Sequence, residues 1–118
     1  MGEGRFRLPL VSLMTEPTML RETLLHAIDD GLGVPGEIVR TAIYDRIERS
    51  YQLTREEIPE KLEAFRRALE DLLGKSAKVM EKLIAKNLYS RLGLDFVAHE
   101  NWTLVDYVNH AKERKRDG

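Results

Sequence analysis

The sequence contains no cysteine, only one glutamine and no long apolar run. The absence of cysteine excludes disulfides, thiolate metal sites and a cysteine nucleophile. No stretch approaches the ~18 apolar residues that a membrane-spanning helix needs, so we expect no such helix. Scarce glutamine beside a dense charge content is typical of thermophilic proteins. These features together predict a cytoplasmic protein of a thermophile.

The chain nevertheless has enough apolar side chains to build one core. Leucine, isoleucine, valine and phenylalanine supply 33 of its 118 residues, a larger share than disordered chains contain, and the length suits a single domain. The formal net charge is only -1. Because residues 1–14 and 112–118 are each net positive, the part between them is acidic, and an acidic surface disfavours phosphate-rich partners.

The distribution of charge and apolar residues predicts three parts: an N-terminal arm (1–14), a single helical domain (15–111) and a charged C-terminal tail (112–118). In the arm, Phe6, Leu8 and Leu10 alternate with Arg7 and Pro9, which predicts a short extended segment. The apolar residues of the arm are too few and too interrupted for a secretory signal.

Apolar residues at helical spacing predict four main helices. The first helix begins near Glu16-Pro17 and ends at Gly31, because proline suits a first helical turn and glycine suits a helix end. The second helix follows the glycine-rich loop 31–36, the third ends at Gly74, and the fourth runs from Ser76 to Gly93. The stripes that we expect to face the core are Leu20, Leu24, Ala27 and Ile28; Ile38, Val39, Ala42, Ile43 and Ile47; Leu62, Phe65, Leu69, Leu72 and Leu73; and Val79, Met80, Leu83, Ile84 and Leu88.

A short C-terminal helix is predicted after a linker over residues 94–101, with Phe96 and Trp102 as anchors onto the core. Its start has the spacing of a capping box, with Asp106 three residues after Thr103. The sequence therefore predicts an all-α fold of four main helices plus a short C-terminal helix, in orthogonal or bundle-like packing.

A second capping box is predicted at Thr54, which Glu57 follows at the same spacing. Pro59 interrupts the turn that follows, because the residue before a proline avoids the helical conformation.

The three histidines are the first place to look for acid–base chemistry near neutral pH. His26 precedes Asp29 and Asp30 by three and four residues, so either carboxylate could orient its ring. A phosphoacceptor role is disfavoured, because two carboxylates would repel a phosphohistidine. We interpret His26 as a structural or surface residue.

The other candidate catalytic and metal-binding groups are also weak. His99-Glu100 and the Asp106/His110 pair could in principle gather around a metal, but no second histidine pair supports a site. The chain has no nucleophile elbow and no phosphate-binding glycine loop. We therefore predict no catalytic, cofactor-binding or metal-binding residues and no enzymatic activity.

A basic stripe on the fourth helix is the strongest nucleic-acid feature of the sequence. Its four lysines recur at three- and four-residue spacing: Lys75, Lys78, Lys82 and Lys86. The tail adds Arg114, Lys115 and Arg116. We favour the interpretation that the stripe is a solvated helix face, balanced by acidic residues of the third helix, and lysine reads bases poorly. These residues nevertheless define a candidate contact surface for nucleic acid or an acidic partner.

Four tyrosines are candidates for a protein interface, because one end of the side chain is apolar and the other polar. They are Tyr44, Tyr51, Tyr89 and Tyr107. A chain this small gains stability by burying apolar surface against a second copy, so we expect a homodimer.

Motifs from Leu20 to Ala111 resemble the archaeal Nitrosopumilus output domain family of small helical domains. The matching segments are Asp29-Asp30-Gly31-Leu32, Ala42-Ile43-Tyr44, Glu56-Glu57-Ile58-Pro59-Glu60 and Asp106-Tyr107-Val108, with Phe65, Leu69 and Gly74 between them. None of these residues is catalytic. The resemblance implies a protein-interaction or signal-output role in an archaeal cytoplasm; a nucleic-acid-binding regulator is the alternative.

Overall fold

The computed structural model describes residues 17–117 as five α-helices and one 3₁₀-helix, with no strand in that range. The elements are α1 Pro17–Leu32, α2 Glu37–Tyr51, the 3₁₀-helix Arg55–Glu60, α3 Leu62–Leu73, α4 Ser76–Leu92 and α5 Leu104–Asp117. The predicted all-α class is confirmed. The predicted N-terminal arm lies outside the described residues.

Helix α4 occupies the centre of the fold, where it packs against α1, α3 and α5. It buries a continuous stripe of mostly apolar residues: Ala77, Met80, Glu81, Ile84, Ala85, Leu88 and Tyr89. Val79 was predicted to belong to this stripe, but its side chain is 61% exposed. Val79 lies on the side of α4 that faces away from α1, α3 and α5, so it is not part of the buried stripe.

The prediction that α1 ends at Gly31 is wrong, because α1 continues through Gly31 to Leu32. Gly31 is buried against α4, and a Cβ atom built on it would lie 2.5 Å from Cγ1 of Ile84. The glycine therefore permits two helices to approach each other, whereas Gly74 and Gly93, both with positive φ, do end α3 and α4.

Helices α4 and α5 run in the same direction. The first residue of α5 lies beside the first half of α4, since the backbone N–H of Leu104 donates to Glu81 at 2.8 Å. Near the other end, the Lys115 ammonium donates to the carbonyl of Leu92 at 3.3 Å. The segment 93–103 therefore returns along the length of α4 before α5 begins. The predicted linker and its anchors are confirmed, because Phe96 and Trp102 pack against the core.

Helix α5 extends further than the sequence predicted. It was expected to stop before the charged tail, but it continues from Leu104 to Asp117. Basic side chains near a helix C-terminus interact favourably with the helix dipole, which explains why the tail sequence is compatible with helix. The Lys115 ammonium also lies at the C-terminal end of α4, where it interacts favourably with the dipole of that helix.

Both predicted capping boxes are present. The backbone N–H of Thr54 donates to the Glu57 carboxylate at 3.0 Å. The backbone N–H of Thr103 donates to Asp106 at 2.8 Å in the same manner. None of the helices within residues 17–117 is long and apolar enough to cross a membrane.

Candidate functional site

The first turn of α2 and the loop before it expose a group of apolar side chains that the sequence had placed in the core or left unassigned. Ile38 is 84% exposed, Val34 is 65% exposed and Val39 is 37% exposed. Pro35 and Ala42 are exposed beside them. We call Val34, Pro35, Ile38, Val39 and Ala42 the α2 patch.

The α2 stripe was predicted to be inward-facing as a whole, and this is wrong for Ile38, Val39 and Ala42. At about 100° per residue, Ile38 and Ile47 lie on opposite sides of the helix. Helix α2 makes its main helix–helix contacts with α1 and α3, through a few residues, and buries Ile43 and Ile47. A helix covered on one side cannot bury so wide a stripe, so its other half stays in solvent.

Two arginines of α2 near the α2 patch are paired with carboxylates of the same helix. Arg40 forms an ion pair with Glu37, and its guanidinium donates to the Asp29 carbonyl at 3.3 Å. Arg49 forms an ion pair with Asp45. Arg46, one turn after Ala42, is also exposed, and it forms no ion pair among the described residues.

A polar cluster fixes α2 to the rest of the molecule. The Tyr44 hydroxyl donates to Oδ1 of Asp29 at 2.5 Å, and the Arg55 guanidinium holds both carboxylate oxygens, Nε to Oδ1 at 2.9 Å and Nη2 to Oδ2 at 2.6 Å. We call these three residues the Asp29 cluster. They connect α1, α2 and the 3₁₀-helix, and they therefore fix the position of the helix that carries the α2 patch.

Ionisation within the Asp29 cluster follows from its geometry. Burial alone would raise the pKa of Asp29, but the hydrogen bonds from Arg55 and Tyr44 outweigh it and lower that pKa. Burial, together with the hydrogen bond to Asp29, raises the pKa of Tyr44. The cluster is thus a carboxylate held between a guanidinium and a neutral phenol.

The tyrosines predicted to form an interface do not form one surface. Tyr89 is 2% exposed and Tyr107 is 1% exposed, so both belong to the core rather than to an interface. The Tyr89 hydroxyl donates to the Tyr107 carbonyl at 2.7 Å. Tyr44 is engaged in the Asp29 cluster, and the exposed Tyr51 donates to Asp71 at 2.9 Å. The position of Tyr89 and Tyr107 at the polar edges of their helices did not reveal their burial, because the sequence carries no information on the partners of their hydroxyl groups.

The predicted basic stripe is exposed along α4. Within the described part of the chain, none of Lys75, Lys78, Lys82 and Lys86 forms an ion pair with a carboxylate. Arg114 and Lys115 are exposed at the end of α5, and Lys115 lies by Leu92, beyond the stripe. The side chain of Arg116 lies outside the described part.

The histidines lie in different environments in the structure. His26 is exposed, and the carboxylates that could have oriented it are bonded elsewhere, Asp29 to Arg55 and Asp30 to Arg91. His99 stacks on Trp102 with ring centroids 3.9 Å apart. Across residues 17–117, no group of three or more histidine, aspartate and glutamate side chains could hold a metal ion.

Comparison of the chain with protein-family models, with curated proteins and with solved structures finds no match.

Proposed function

We propose that this chain is a non-enzymatic protein-interaction or regulatory module, and that the α2 patch is its interaction surface. The observation that carries the proposal is the exposure of Ile38, which is 84% in solvent beside Val34 at 65%. Burying a side chain of this type stabilises by about 1.5–3 kcal/mol. Single exposed apolar residues are ordinary, but a contiguous group on one helix face favours a partner.

The partner that we propose is a second copy of the chain. In the twofold arrangement, two α2 helices would meet antiparallel with Ile38 near the axis, so that Val34 of one copy would contact Ala42 of the other. Two-fold pairing is the commonest symmetry of oligomers and places the same patch on both sides. Glu37 and Asp45 are already paired with arginines in each copy, so the repulsion between these carboxylates across the interface would be small.

The regulatory part of the proposal rests on the resemblance to the archaeal Nitrosopumilus output domain family, which is carried by turns, caps and core positions. It implies a module that transmits a signal through contacts rather than chemistry, in an archaeal cytoplasm.

Sedimentation velocity over a range of protein concentrations tests the proposal. The wild type should shift from monomer towards dimer, with a Kd of roughly micromolar or weaker because the patch is smaller than a standard interface. Ile38→Glu should stay monomeric, whereas Val97→Glu, a matched change at a site that is 64% exposed in the linker, should behave as the wild type. A monomeric wild type, or equal association by Ile38→Glu, would contradict the proposal.

The second candidate function is nucleic-acid binding by the α4 lysines. It is favoured by one observation: the four exposed lysines lack carboxylate partners in the described residues, whereas most arginines there have one. Fluorescence anisotropy with a labelled DNA duplex would show binding that weakens steeply with salt if these lysines neutralise phosphates. Absent or salt-insensitive binding would remove this candidate.

A further inference from the structure

A cavity of about 250 Å³ lies between α4 and the linker that returns along it. Helix α4 contributes Lys78, Val79, Glu81 and Lys82, and the linker contributes Glu100 and Trp102. Pockets that hold drug-sized molecules are roughly 300–1,000 Å³, so this cavity suits a smaller ligand.

Glu81 is a buried carboxylate that borders this cavity. Its exposure is 4%, and its Oε1 accepts the backbone N–H of Leu104 at 2.8 Å. Its second oxygen, Oε2, accepts no hydrogen bond from any residue in the described part of the chain. A carboxylate has about four acceptor positions, so most of the capacity of Glu81 is left for another donor. Burial raises the pKa of Glu81, and the Leu104 N–H and Arg66 offset this effect only in part.

The cavity carries charges of both signs. Lys78 and Lys82 stand one helical turn apart, exposed and without an ion pair among the described residues. Glu81 and Glu100 supply the negative charge. A purely anionic ligand would meet the two carboxylates, and a purely cationic ligand would meet the two lysines. A ligand that carries both signs can satisfy both pairs at once.

The remaining surface of the cavity is apolar. Val79 is 61% exposed, so a ligand covering it would remove apolar surface from water. Trp102 is held in position by its stacking on His99, with ring centroids 3.9 Å apart, and by an edge contact with Tyr107 at 5.1 Å. An apolar group on the ligand therefore finds a preformed surface between the two charged pairs.

We propose that this cavity binds a free α-amino acid with an apolar side chain. The ammonium group donates to Oε2 of Glu81, the carboxylate accepts from Lys78 and Lys82, and the side chain lies against Val79 and Trp102. The cavity is separate from the α2 patch, so the proposal of amino-acid binding does not depend on self-association of the chain.

Isothermal titration calorimetry of the full chain with L-leucine tests the proposal, alongside two analogues that each lack one charge. Leucine should bind, and both 3-methylbutylamine, which lacks the carboxylate, and 4-methylpentanoate, which lacks the ammonium, should bind at least about tenfold more weakly, a loss of about 1.4 kcal/mol. L-methionine and L-phenylalanine extend the panel to other apolar side chains.

Two variants assign the binding to the cavity. Glu81→Gln keeps an acceptor for Leu104 but loses the charge that holds the ammonium, so leucine affinity should fall about tenfold or more. Lys78→Ala/Lys82→Ala, on the surface of α4, should lose affinity similarly, whereas Lys75→Ala/Lys86→Ala on the same stripe should not. The absence of a binding signal for all three amino acids at millimolar concentrations, or equal binding of 4-methylpentanoate, would overturn the proposal.

Discussion

Gly31 of α1 lies directly against Ile84 of α4, and a Cβ atom on Gly31 would stand 2.5 Å from Cγ1 of Ile84 and 3.3 Å from its Cα. We predict that Gly31→Ala destabilises the protein by about 1–3 kcal/mol, the usual range for overpacking a core contact. Urea denaturation followed by circular dichroism measures the change.

A double-mutant cycle provides the control for this contact. Ile84→Ala removes the Cγ1 atom, so Gly31→Ala should cost less in the Ile84→Ala background than in the wild type. If Gly31→Ala destabilises the wild type and the Ile84→Ala protein equally, the contact between Gly31 and Ile84 does not limit how closely the two helices approach.

The Asp29 cluster should contribute far more to stability than the neighbouring acid does. Asp29→Asn replaces a carboxylate whose two oxygens both accept hydrogen bonds from Arg55. Because these hydrogen bonds are partly buried, we predict that the variant loses about 1–3 kcal/mol of folding stability. Asp30→Asn breaks a more exposed ion pair with Arg91 and should change stability by about 1 kcal/mol or less. Urea denaturation at neutral pH compares the two variants.

The same cluster predicts a pH dependence. Folding lowers the pKa of Asp29 below 3.8, its value in the unfolded chain. The ionised Asp29 therefore contributes to stability above pH 3.8, and this contribution is lost as the pH falls through the pKa of the folded state. Stability of the wild type should therefore fall below pH 3.8 more steeply than that of Asp29→Asn. Parallel acid-denaturation curves for the two proteins would be inconsistent with this role.

The hydroxyl of Tyr89 should be needed for the packing of α4 against α5. It donates to the Tyr107 carbonyl at 2.7 Å and lies 2.9 Å from Nδ1 of His110, so that nitrogen must carry a proton to complete the network. Tyr89→Phe leaves both partners unsatisfied and should cost about 1–3 kcal/mol.

Tyr51→Phe is the matched control for that change. The Tyr51 hydroxyl donates to Asp71 on the surface, where water replaces the lost partner, so the midpoint of thermal unfolding should change little. A Tyr89→Phe protein as stable as Tyr51→Phe would contradict the assignment of the buried network.

Glu81 predicts a pH dependence of opposite sign to that of Asp29. Burial raises its pKa above 4.5, although the Leu104 N–H and Arg66 act in the opposite direction. The folded state therefore holds the proton more tightly than the unfolded state, and stability is lost as the pH rises from 4.5 through the folded pKa. The other charged groups around it are Glu63 and Glu70 of α3, Lys78 and Lys82 of α4, and Glu100 of the linker.

Glu81→Gln removes this titration while retaining an acceptor for the Leu104 N–H. Relative to the wild type, the variant should gain stability as the pH rises from 4.5 towards neutrality. Thermal unfolding at a series of pH values measures the difference, and a difference that does not vary with pH would contradict the prediction.

Features that depend on a few neighbouring residues could be predicted from the sequence. The capping boxes at Thr54 and Thr103 were correct because each requires only a hydroxyl and a carboxylate three residues apart.

Features that depend on distant contacts could not be predicted. Gly31 has the local signature of a helix end, but its role is set by Ile84, 53 residues further along the chain. The exposure of Ile38 depends on how few elements cover α2, which hydrophobic spacing does not reveal. For Glu81 a signal was present, since it occupies a position of the buried α4 stripe four residues after Ala77.

The most direct test of the proposed interaction surface is disulfide trapping between two copies. The chain has no cysteine, so a single introduced thiol reports only its own position. Under mild oxidation, Ile38→Cys should form a covalent dimer rapidly, because Ile38 is proposed to meet its copy near the twofold axis, whereas Val97→Cys, also exposed, should form it slowly. Equal rates of dimer formation at the two positions, measured by non-reducing electrophoresis, would contradict the account.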